Sequence, residues 1–240
     1  MSIFSSISRF AEYFKRNGLR ATGRRFSLAV TRTLFLNRMA LYYCDLTSQS
    51  SLTTDLPSSL KMERKRNETE LDPEELQEII SVWNPRLARR NVEERFALGA
   101  SLWLIKLDGN LAGYGWSLRG RTVEPHYFCL GLNDVHLFDF HVFPQYRGLG
   151  VNPSLVNYIL RSLATESQGR AFIEAAEWNH AQLTSLRKTP FRRLGWARKR
   201  SIGGLTIVWW AENDAARQKQ GPKSASAADR KAAGIPHPRG

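Results

Sequence analysis

Cysteine is nearly absent from this chain, with only Cys44 and Cys129 among 240 residues. Two thiols cannot build a disulfide framework or a four-ligand metal site, and both stand in apolar stretches, so the sequence predicts two isolated buried thiols and no metal. Long apolar runs are also missing. None approaches the roughly 20 residues that a membrane-spanning helix needs, which predicts a soluble protein. The first 14 residues place Arg9 and Glu12 among apolar side chains and lack a small-residue cleavage site, which argues against a secretory signal and for the cytoplasm. No internal repeat and no nucleic-acid-binding motif is present, which counts against a nucleic-acid partner.

What is present fits one globular domain with extensions. Hydrophobic residues make up 42% of the chain and aromatics 11%, ordinary values for a folded protein. The net charge of +13 is not ordinary, and it gathers at the ends. Residues 1–60 carry eight Lys and Arg against three Asp and Glu, and residues 211–240 carry six against three. Basic ends favour anionic surfaces, whether phosphate groups or acidic lipid, or they serve solubility alone.

Phe4, Ile7, Phe10, Ala11 and Phe14 recur at helical spacing, and a second basic stretch from Arg20 to Arg38 has alternating apolar and cationic residues. Both read as amphipathic helices that either pack on the domain or lie on an anionic membrane face through residues 1–45. Thr47 to Ser59 reads as a linker. The expected organisation is therefore a basic extension over 1–59, a folded domain over 60–210 and a disordered tail over 211–240.

Within the domain, Leu60 to Arg66 is a short strand, and Asp72-Pro73-Glu74-Glu75 starts a helix with an N-cap and a proline in the first turn. A second helix covers residues 86–97. The pattern then changes to strand at Ser101 to Leu107 and Leu111 to Leu118, joined by Asp108-Gly109-Asn110 as a hairpin. Val135 to Val142 is a strand, Pro153 to Ala164 a helix and Ala171 to Glu177 a strand. Residues 197–202 and 206–210 form a terminal pair. This order predicts an α+β fold with one βαβ crossover.

The most informative segment is Val142-Phe143-Pro144-Gln145-Tyr146-Arg147-Gly148-Leu149-Gly150-Val151-Asn152. A strand, two glycines and a helix start in succession make a phosphate cradle: glycine lets the backbone approach an anion, and the first helical amides point at it. No Gly-Lys-Ser/Thr follows, which excludes a P-loop, and the third glycine of a dinucleotide fingerprint is missing.

Gln145-x-x-Gly148-x-Gly150 after an apolar strand resembles motif A of the GNAT acetyltransferases. The element order over 60–210 is similar to that family, and Arg193-Leu194-Gly195-Trp196 resembles the Leu-Gly-aromatic that closes its last helix. The resemblance implies a GNAT-like mixed, mostly antiparallel sheet flanked by helices, with acetyl-CoA as the acyl donor. It implies that the backbone of Phe140, His141 and Val142 pairs with the pantetheine arm and that amides from Arg147 through Leu149, Gly150 and Val151 to Asn152 hold the pyrophosphate. Asn179 matches an asparagine that contacts the coenzyme. Two departures stand out: Asn152-Pro153 replaces the usual small residue, and the tyrosine that often serves as general acid falls on Phe191.

Transfer to an amine requires a base to take its proton. Asp139 and His141 are the first candidates, with His136, Glu174 and Glu177 behind them. A carboxylate in so aromatic a strand is either catalytic or a structural ion-pair partner. Period-two alternation places Asp139 and His141 on one face and His136 on the other. The basic N-terminal segment is similar to that of bacterial GNAT proteins of surface-polysaccharide synthesis, which implies an amino-sugar acceptor and a peripheral position at the inner membrane face. A protein or polyamine acceptor, and a non-enzymatic basic binding module, are the alternatives.

Overall fold

The computed structural model describes residues 38–49, 59–82, 84–123, 126–166, 168–202 and 205–213. The expected amphipathic helices of residues 1–37 and the expected tail beyond 213 lie outside them.

Eight strands form one sheet. β3 (Ser101–Leu107) and β4 (Asn110–Arg119) join through Asp108 and Gly109, both at positive φ (50° and 82°). That left-handed pair matches the strand twist in a two-residue hairpin, and Asp-Gly adopts it readily. β2 (Leu60–Lys65) pairs with β3, and β5 (Val135–Val142) with β4. β6 (Arg170–Ala176), β1 (Arg38–Asp45), β7 (Arg192–Ile202) and β8 (Leu205–Glu212) complete the order β2-β3-β4-β5-β6-β1-β7-β8. Every neighbouring pair is antiparallel except β5 and β6. The expected α+β architecture, a mostly antiparallel sheet flanked by helices, is the one observed.

Both faces of the central strands are covered, so they read as continuous apolar runs. α3 (Val151–Ala164) packs Val151, Leu155, Ile159 and Leu163 on one face, against Trp103, Ile105 and Leu137. α1 (Pro73–Ser81) and α2 (Pro85–Ala97) cover the opposite face through Ile79, Val92 and Phe96, which meet Leu102, Leu104 and Trp116. α1 starts as its sequence predicts: the Glu75 carboxylate accepts the Asp72 amide at 3.1 Å. The same carboxylate is buried and receives Lys106 Nζ at 2.6 Å, which ties the cap to β3. Glu63 beside it bridges Lys61, Lys65 and Lys106. Burial alone would raise its pKa, but these three ammonium groups prevail and hold it at about 2. No helix among the described residues is long and apolar enough to cross a membrane.

The structure corrects three expectations. The proposed boundary at residue 60 fails, because residues 38–49 belong to the domain: β1 lies between β6 and β7 and buries Ala40, Leu41 and Cys44, with Leu46 just beyond it. Cys129 is exposed, while Cys44 is buried, its thiol pushed up to about 12 by burial and by Asp45. Leu194-Gly195-Trp196 closes no helix but lies inside β7. Gly195 is required there because an added Cβ would come within 1.9 Å of the Ala211 carbonyl oxygen.

A strand between two others cannot leave without exposing two rows of backbone donors and acceptors. A chain beginning at residue 50 should therefore lose the cooperative thermal transition seen by circular dichroism, whereas one beginning at residue 38 keeps it. A sharp, unshifted melt from the shorter chain would contradict the placement of β1.

Candidate functional site

The site grows from the one parallel pair. β5 and β6 are in register only at Val135 with Ala171 and His136 with Phe172. Beyond that point β5 runs on to Val142 and β6 to Ala176 with no pairing between them. The strands diverge into a V, and the β6-facing edge of residues 138–142 has no strand beside it. The other edge stays bonded to β4 through Tyr114 with His141 and Gly113 with Val142.

A bulge sits in the middle of this exposed stretch. Tyr114 and Trp116 are two apart, but their partners His141 and Phe138 are three apart. The extra residue is absorbed at Asp139, whose φ is 50°, and one inserted residue reverses the alternation beyond it. The expected separation of His136 from Asp139 and His141 is thereby overturned. His136 stacks on Phe138 at 5.3 Å, Phe138 on Trp116 at 6.5 Å, and His141 on Tyr114 at 5.6 Å, all on the α2 side. Phe140 and Val142 point to the α3 side.

At the open end of the V the chain turns through Pro144–Tyr146 into the glycine loop. Gly148 and Gly150 have φ of 84° and 77°, and a Cβ on either would meet nothing within 4 Å. Glycine is needed there for the left-handed backbone, not for lack of space. The amides of Tyr146 and Arg147 are used internally, by Phe143 and Pro144 carbonyls at 3.0 and 3.3 Å. Those of Gly148, Leu149, Gly150, Val151 and Asn152 make no backbone bond outside the helix ladder, and α3 starts at Val151 with its first donors unsatisfied as in any helix. Gln145, Gly148 and Leu149 are exposed.

Other expected coenzyme contacts are partly committed. Arg147 donates its Nε to the Val142 carbonyl at 3.1 Å, which ties the loop to the strand end. Asn152 donates to Ser185 Oγ at 2.9 Å. Asn179 caps α4 (His180–Leu186), accepting from the Gln182 amide and donating to the Gln182 side chain, each at 3.2 Å.

The candidate bases differ in freedom. Asp139 is held by Arg95 of α2 at 2.6 Å, and that guanidinium lies over the Trp116 and Phe138 rings. Arg95 and Asp139, together with Ile79, Ala88, Asn91 and Tyr114, border a cavity of about 290 Å³ on the α2 side. Burial and nearby Arg147 outweigh Asp139 and hold the His141 imidazole below its usual pKa, so it is neutral near pH 7. Phe191 is buried in the core, and Tyr158 packs on Trp103 of β3, two strands from β5.

One cluster escaped the sequence reading in part. His136 Nε2 lies 2.8 Å from Glu174 Oε2, and His126, from the irregular segment after β4, stands 4.9 Å from His136 ring to ring. The parallel register of His136 with Phe172 brings the first two together, since Glu174 stands two residues further along β6. His126 carried no local signal, because its segment has neither helix nor strand period.

The sequence model of the acetyltransferase (GNAT) family matches residues 63–185, just over half of the chain. The protein belongs to the GNAT family. No curated protein matches its sequence. Among solved structures, a GNAT-family protein from Novosphingobium aromaticivorans is 13% identical over 67% of this chain and 61% of its own, with a TM-score of 0.45. A GNAT acetyltransferase from Colwellia psychrerythraea is 12% identical over 65% and 52%, with a TM-score of 0.48. A tandem GNAT protein from the clavulanic acid biosynthesis pathway is 17% identical over 74% and 54%, with a TM-score of 0.45. The chain spans about 60% of the length of the structures it matches first. The family assignment rests on the sequence match.

Burial makes the His126 imidazole hard to charge and pushes its pKa down to about 4, against ~6.5 for a free histidine. Between these values the unfolded chain holds a proton that the folded chain lacks, so stability should fall as the pH drops from about 6.5 to 4. The urea midpoint plotted against pH should slope less in this window for His126→Phe. An unchanged slope would contradict the burial of a neutral ring.

Proposed function

We propose that the protein transfers an acyl group, acetyl in the first instance, from acyl-CoA to a primary amine. The observation that carries this reading is the run of open amides from Gly148 to Asn152 at the start of α3, beside a strand edge without a partner. A diphosphate fits the first feature: N–H groups without backbone partners, a helix dipole and left-handed glycines with empty space beside them. An extended amide-bearing arm fits the second, since it can bond to residues 140–142 as an added strand would. Acyl-CoA supplies the activated carbonyl. The protein's own part is to hold the coenzyme in the V, to present the amine from the α2 side and to manage its proton.

The acceptor we favour is an amine carried on an anionic molecule, such as an amino sugar on a nucleotide or lipid carrier. The support is electrostatic: a chain of net charge +13 attracts anions and repels polyamines. The excess of five positive charges within residues 1–60 suits work at an anionic membrane face.

Calorimetric titration with acetyl-CoA tests the cradle. A β-branched residue at a left-handed position costs at least about 1–2 kcal/mol of backbone strain, and the strain falls on the amides that must converge. Gly148→Val and Gly150→Val should each weaken acetyl-CoA binding at least about 10-fold while the protein stays folded, its thermal midpoint lowered by only about 2–8 °C, and thiol release with nucleotide-linked amino sugars should fall in parallel. Unaltered affinity in both variants would remove the cradle, and binding without thiol release from any amino sugar, peptide or polyamine would favour a binding module.

A further inference from the structure

We propose that Glu174, backed by His136, takes the proton from the acceptor amine and passes it to the departing sulfur. This rests on the transferase reading above and names the residues that complete it.

The pair stands at the base of the V, where the two strands part. His136 is the last β5 residue in register with β6, and Glu174 lies two residues past its partner Phe172, so their contact spans the base of the V. A carboxylate only accepts, so in the 2.8 Å bond His136 donates from Nε2. Its Nδ1 is buried without a partner, as is Nε2 of His126 above it. The Glu174 side chain keeps 21% of its surface open, while that of His136 keeps 7%. The carboxylate is thus the more exposed member and takes the role of base, and the imidazole orients it. Burial would raise the Glu174 pKa, but the His136 bond and the two imidazoles outweigh it and hold it low, so the base is ionised at neutral pH. The titratable groups around the pair come from two further elements: His126 on the segment after β4 and Lys199 on β7.

The other candidates are engaged elsewhere. Arg95 neutralises Asp139, and His141 stacks on Tyr114 with Phe143 against its edge. No tyrosine waits at the position of Phe191, and Tyr158 faces β3. A single pair therefore serves in both directions. The amine nitrogen bonds to the acyl carbon, and the carbon–sulfur bond breaks with its electrons left on sulfur. The proton shed by nitrogen rests on the pair and then moves to the thiolate. Nothing else is consumed.

The test is kinetic and uses the full chain with acetyl-CoA and the fastest amine from the panel above. Glu174→Gln should lower kcat at least about 100-fold, the usual scale of general acid–base catalysis, with the calorimetric Kd for acetyl-CoA within about two-fold. Glu174→Asp should restore part of the rate. His136→Phe removes the bond that holds the carboxylate pKa down, so the acid limb of kcat should move to higher pH, a shift that a merely structural role would not produce. Native kcat in Glu174→Gln would overturn the pair and leave the transferase standing. Failure of every amine despite coenzyme binding would overturn both. Loss of activity on chelation, restored by zinc, would replace the proton pair with a metal centre held by His126, His136 and Glu174.

Discussion

The structure turns on a refusal of two strands to stay paired. β5 and β6 share only two residue pairs before they separate, and a sheet does not give up backbone hydrogen bonds at its centre without something to replace them. Part of the replacement is internal: the Gln182 side chain of α4 donates to the Glu174 carbonyl at 3.3 Å, and Arg147 to the Val142 carbonyl at 3.1 Å. The rest of the exposed edge is left for a ligand that can bond like a strand. Neighbouring features follow from this geometry. α3 must leave β5 at the mouth of the V and return the chain to β6, so its first amides face the same opening as the strand edge.

The bulge at Asp139 is the second constraint, and it decides what lines the opening. A regular strand would have sent Asp139 and His141 to the face opposite His136. With one residue inserted, aromatic and titratable side chains collect on the α2 side, in a file from His136 through Phe138 to His141, while Phe140 and Val142 anchor the strand to the α3 core. The left-handed backbone at a non-glycine residue is stabilised locally by the Arg95 ion pair. Asp139 thereby acts as the pin of the bulge, which suits the structural reading of a carboxylate in an aromatic strand.

Much of this was legible from residues alone. β3, β5 and the hairpin turn stand where apolar runs bounded by turn residues, and Asp-Gly, place them, because those signals are local. The glycine loop was legible for the same reason. β1 was not: its residues are apolar on both faces, as a strand buried at the sheet centre must be, and such a run carries no period to separate it from the preceding basic stretch. The bulge was illegible because the extra residue is defined only by the register of β4. The Glu174–His136 contact joins residues 38 apart and depends on the parallel register of β5 with β6. His126 comes from a segment whose position is set by Phe128 packed on Phe172 and Trp210, a long-range contact with no local trace.

The central claim is that unpaired backbone groups along residues 140–142 and 148–152 are the coenzyme site. Amide hydrogen exchange with and without CoA reads those groups directly. The account predicts slower exchange on CoA addition in these two segments, with the β7–β8 hairpin unaffected. Binding that leaves both segments exchanging at their free rates, with protection elsewhere, would contradict it.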